Sequence, residues 1–167
     1  MSILAPAVGA VAAAILESSV LSHLEMGNIK PDLVFAVGVA VAMVLGFESG
    51  MTWAFAGGVT LDFLMPGRAL GSTTLTLILT LSLALLVARA LWPPRLVVLA
   101  ATAMGLSFIY PILLLGLLTL TADIEFAGLS VGDLLIVGLI NGVIATIAAV
   151  VLRALDLRFG EPERLAW

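Results

Sequence analysis

Leu96–Ala122, LVVLAATAMGLSFIYPILLLGLLTLTA, runs 27 residues without a charged side chain. A hydrocarbon core about 30 Å thick needs roughly 20 apolar residues in a helix to cross it. Ala69–Ala88 is a second uncharged stretch, of 20 residues. Strands of a membrane barrel alternate polar and apolar residues, and these stretches do not alternate. Backbone groups in hydrocarbon must be bonded within their own segment. Both stretches therefore read as membrane helices.

Working outward, the same pattern fills the chain. Apolar spans read as Ile3–Leu21, Leu33–Leu45, Met51–Met65, Ala69–Leu91, Leu96–Thr121 and Leu134–Leu152, with ionisable residues almost only between them. The 167 residues are 62% hydrophobic and 11% charged, against about 45–50% and about 25% in soluble domains. The expected fold is all-α: a six-helix transmembrane bundle with short loops, forming a single integral membrane domain over residues 1–167. The second and third spans are short and joined by a tight turn, Gly46-Phe47-Glu48-Ser49-Gly50. They read as a helical hairpin that bends, tilts or thins the bilayer around it. Pro111 inside the fifth span predicts a kink. Pro31, Pro66 and Pro93-Pro94 fall at span edges. The first span lacks a basic leader and is followed by five more, so it does not read as a signal peptide.

With six spans, one face of the membrane receives Arg89, Arg95, Arg153, Arg158 and Arg164, and the other only Lys30 and Arg68. The positive-inside rule then places both termini in the cytoplasm. The opposite loop at 122–133 is acidic, with Asp123, Glu125 and Asp133, a composition that solvation alone accounts for.

Composition excludes several functions. The net charge is −4 and no basic patch exists for nucleic acid. There are no cysteines for thiolate metal sites or disulfides. The one histidine, His23, sits in a loop with no nucleophile–base set around it, so the chain reads as a non-enzyme without a cofactor.

Polar residues within the spans need a reason to be there. Glu17 follows fourteen uncharged residues, Asp62 lies near the end of the third span, and Asn141 lies inside the sixth. Glu17 and Asp62 could sit at the membrane interface, or Asp62 could bond into the bundle and pin the 66–71 loop. That packing role predicts that Asp62→Asn is tolerated and Asp62→Leu is not. Asn141 suits an interhelical bond. Thr73, Thr76 and Thr80 share a helical face, suited to back-bonding onto their own helix or to lining a polar cavity. Ala5, Gly9 and Ala13 form a smooth face on the first span, a candidate seat for a partner helix.

Lys30-Pro31-Asp32-Leu33, Phe55-x-x-Gly58-x-x-x-Asp62, Leu70-Gly71 and Asn141-Gly142-Val143 occur in an order and spacing that resembles the rod shape-determining protein MreD family. Ala54 departs from the glycine that often precedes the phenylalanine there. By position, Pro31 presets the start of the second span and Asp32 is placed to cap it. Gly58 lies one turn before Asp62, so both face one neighbour. The resemblance implies a multi-pass protein of the bacterial inner membrane, a scaffold of the cell-elongation and peptidoglycan-synthesis machinery. Its implied partners are an MreC-like single-span protein and, beyond it, MreB, RodA and a class B penicillin-binding protein. A different class fits the same outline: the substrate-binding membrane subunit of a vitamin-type transporter, with Glu17 and the threonine face lining a pocket.

Overall fold

The structure, a computed structural model, describes residues 4–19, 31–65, 69–91, 95–122 and 131–159. They form six helices and, among the described residues, no strand: α1 (Leu4–Ser19), α2 (Leu33–Leu45), α3 (Phe47–Leu64), α4 (Ser72–Ala90), α5 (Leu96–Ala122) and α6 (Val131–Phe159). Three of them, α4, α5 and α6, are long and apolar enough to cross a membrane. Pro66, the Pro93-Pro94 pair, His23, Lys30, Arg68, Asp123 and Glu125 lie outside the described residues.

α2 is the shortest helix and stands at the centre, touching all five others. Its sequence, LVFAVGVAVAMVL, has no polar face. A helix apolar all round is stable only when surrounded, and nine of its thirteen residues are buried. α1 lies at the periphery against α3 and α2, while α5 and α6 pair with each other on the other flank. Phe35 of α2 stacks on Tyr110 of α5, with ring centroids 4.9 Å apart, an arrangement aromatic pairs favour.

Several boundaries differ from the sequence expectation, and α4 begins at Ser72 instead of Ala69. The α2–α3 turn is a single residue, Gly46, at φ 90°, and α3 begins at Phe47 instead of Met51. Glu48 and Ser49 belong to the first turn of α3, where an acidic residue suits the positive end of the helix dipole. α6 runs from Val131 to Phe159, well beyond Leu134–Leu152. Asp133 and Arg153 end the apolar run but do not end the helix, since neither breaks helical backbone. α5 continues unbroken through Pro111. That proline has no N–H, so the carbonyl of Ser107 receives no bond from position 111.

Candidate functional site: a buried polar layer at the helix starts

Helix starts leave amide groups without partners inside the helix. In hydrocarbon no water can fill that need. In this protein the starts of α2 and α4 are met by carboxylates from other helices.

Asp62, two residues before the end of α3, is 5% exposed. Its Oδ1 accepts the Thr73 amide at 3.0 Å. Its Oδ2 accepts the Gly71 amide at 3.0 Å, the Thr74 amide at 3.2 Å and the Thr74 hydroxyl at 2.8 Å. Three amides of the opening turn of α4 thus converge on one carboxylate, which also faces the positive end of the helix dipole. Gly71 itself, with φ 94°, supplies no side chain for the cap position, so the cap comes from α3. Gly58 makes this reach possible. A Cβ at position 58 would stand 2.5 Å from the Thr74 Cα, closer than atoms can pack. Only glycine lets α3 and α4 approach so nearly there.

These contacts change the expected tolerance of Asp62→Asn. All four groups facing Asp62 are donors. An asparagine would set its own NH2 against some of them, so this donor set favours a carboxylate over an amide.

Glu17, also two residues before the end of its helix, does the same for α2. It is 3% exposed, and its Oε2 accepts the Val34 amide at 2.8 Å. Asp32 occupies the cap position of α2, but its side chain makes no capping bond, contrary to the expectation from its place in the sequence. Glu17 fills that role instead. The Asp32 amide donates to Asn141 Oδ1 at 3.2 Å, and Asn141 Nδ2 donates to Ser107 Oγ at 3.1 Å. Asn141 is fully buried and so joins α6 to both α2 and α5. Beside it, Gly142 packs against Met104 of α5.

Trp53 of α3 completes the layer, and the sequence reading overlooked it. Its Nε1 donates to the Val34 carbonyl at 2.9 Å. Val34 is thereby held at both backbone groups, the amide by α1 and the carbonyl by α3. The signal was present: a tryptophan inside an apolar span carries an N–H that needs an acceptor. The indole is seated between Gly9 of α1 and Gly38 of α2, where a Cβ would meet ring carbons at 2.9 Å in either case.

That seat corrects the assignment of the first span's smooth face to a partner helix. Ala13 is buried and Gly9 half-buried against Trp53, while Ala5 is exposed. Gly9 and Ala13 face into the bundle because the tryptophan fills the space glycine leaves. The outward face of α1 includes Leu4, Val8, Val11, Ile15 and Leu16 as well as Ala5. Phe55 is also outward, at 62% exposed, and Pro31 is half-buried beside Asp32.

The threonine face of α4 is buried. The Thr76 and Thr80 hydroxyls donate to the carbonyls of Ser72 and Thr76 at 2.8 and 2.7 Å. This is back-bonding within one helix. Among the described residues, no buried side-chain nitrogen or oxygen lacks a partner, and no cluster of three metal-ligating side chains occurs.

No known protein family matches the chain, and no curated protein or solved structure matches it.

Proposed function

We propose that this chain is a non-enzymatic, multi-pass scaffold of a bacterial plasma membrane, of the kind represented by the rod shape-determining protein MreD, and that it presents its bundle to the transmembrane helix of an MreC-like protein. The observation that carries the reading is where the motif residues of the resemblance meet. Asp32 and Asn141 are 109 positions apart and bonded to each other. Gly58 and Asp62 of α3 meet the opening turn of α4 at Gly71 and Thr74. These residues are spent on joining helices. A protein whose distinctive side chains fix the mutual positions of its helices is suited to holding a shape for others.

A vitamin-type uptake subunit would use Glu17 and the threonine face to line a pocket. Glu17 accepts from the α2 backbone, and the Thr76 and Thr80 hydroxyls are turned onto their own helix. Those contacts favour the scaffold.

The scaffold reading carries a topology of six spans with both termini cytoplasmic, resting on the five-to-two distribution of arginine and lysine. The chain has no native cysteine, so single cysteines at Ser2, Glu125 and Glu163 test it cleanly. Only position 125 should react with an impermeant reagent on intact cells. The functional test is purification in mild detergent with mass spectrometry of what remains bound. Recovery of a single-span protein with a periplasmic domain supports the scaffold. A purified chain that holds no such partner and is stabilised by a vitamin-like ligand overturns it.

A further inference from the structure

The bonded pair Ser107–Asn141 provides two independent rulers. Twelve residues of α5 separate Arg95 from Ser107, and twelve of α6 separate Asn141 from Arg153. At the helical rise of 1.5 Å per residue, both place the pair about 18 Å from a plane of arginines. The Asp32 amide is bonded to Asn141, so the start of α2 lies at that level. Leu33 to Leu45 of α2 also covers about 18 Å, which returns to the arginine plane at Gly46. On α4, fifteen residues from Thr74 to Arg89 put the Asp62 cap at about 22 Å.

A hydrocarbon core is about 30 Å thick. The polar layer therefore stands roughly 8–12 Å short of the far boundary. Tilting a short helix lowers its reach and widens this gap, whereas arginines that snorkel outward move the near boundary out and narrow it by a few Å, about the length of their stems. α5 behaves differently. From Val97 to Leu120, both exposed, it offers about 35 Å of uncharged surface. The low and the tall surfaces lie on different flanks, since α1 packs on α3 and α2 and has no contact with α5 or α6.

We infer that the α1–α3 flank is a lipid-selective surface that takes short or thinned acyl chains, while the α5 flank takes chains of ordinary length. This rests on the membrane reading above. Outward residues Leu4, Val8, Val11 and Ile15 of α1, with Phe55 of α3, form the apolar surface below the buried carboxylates, and Phe63 stands level with Asp62. Full-length acyl chains against this flank would bring hydrocarbon up to the capped helix starts. Shorter chains place headgroups at that height. A bilayer thinned on one flank only is the least costly match to one low and one tall side.

Single cysteines replacing exposed Phe55 on α3 and exposed Ile112 on α5 provide the test, because the chain has none of its own. Each variant, labelled with a bromine-quenchable fluorophore, is reconstituted into vesicles of mixed dimyristoleoyl and dierucoyl phosphatidylcholine. One or the other lipid is brominated. At position 55 the short-chain lipid should quench about threefold more effectively than the long-chain lipid. At position 112 the ratio should be near one or reversed. Equal ratios at both positions overturn the lipid selectivity and leave the membrane placement intact. No quenching at either position overturns both.

Discussion

The Asp62 cap gives a graded series whose order follows from counting donors. The carboxylate receives three α4 amides and the Thr74 hydroxyl. Thr74→Val removes the hydroxyl alone and leaves the amides satisfied, at about 1 kcal/mol. Asp62→Asn retains one acceptor oxygen and turns an NH2 toward groups that are themselves donors. Its cost is one or two charge-assisted bonds, about 2–4 kcal/mol. Asp62→Leu strands three buried amides, at about 1–3 kcal/mol for each unsatisfied donor, the largest loss of the series. Reversible unfolding in mixed micelles, followed by steric trapping, measures each value on the same scale. The predicted order of damage is Thr74→Val, then Asp62→Asn, then Asp62→Leu. An Asp62→Asn protein within ~0.5 kcal/mol of the parent would refute the donor count, as would a Thr74→Val variant as damaged as Asp62→Leu.

Gly58→Ala forces a methyl group to within 2.5 Å of the Thr74 Cα, and should cost about 2–3 kcal/mol in the same unfolding assay. It should also be non-additive with Asp62→Leu, since both part α3 from α4. Gly9→Leu meets Trp53 and should lower the yield of folded monomer; unchanged yield together with loss of a copurifying partner would return that face to the outside of the bundle. Trp53→Phe keeps the ring but loses the Nε1 bond to Val34, at about 1 kcal/mol by chemical unfolding. Glu17→Gln keeps an acceptor for the Val34 amide and should unfold at nearly the parent temperature, whereas Glu17→Ala should melt clearly lower.

Helix content was legible because long uncharged apolar runs without alternation leave few options but a helix. Uncharged runs such as Leu96–Ala122 map onto α5 almost residue for residue. The α2–α3 joint was less legible because Glu48 and Ser49 carry the composition of a turn while sitting in a helical first turn. Asp62 and Gly58 were readable as a unit because they lie one turn apart on a single helix. The cap on α2 was not readable from Asp32, since the local residue and the distant Glu17 compete for the same amides. Only the packing of α1 against α2 decides that competition. The inward orientation of Gly9 was hidden for a related reason. A smooth face shows that something comes close, and the identity of what comes close, here Trp53, lies on another helix.

The bond between Asp32 and Asn141 also has a consequence for biogenesis. A ribosome makes α2 long before it has made α6, yet one amide at the start of α2 bonds to a side chain 109 positions later. Until the last helix arrives, the central helix of the bundle is unfinished, with an amide at its start that still lacks the Asn141 acceptor. Helices α1 to α5 can therefore gather early, but their arrangement is sealed by the final one. A chain cut short before Asn141 therefore lacks the side chain that ties the start of α2 to α6 and, through Ser107, to α5.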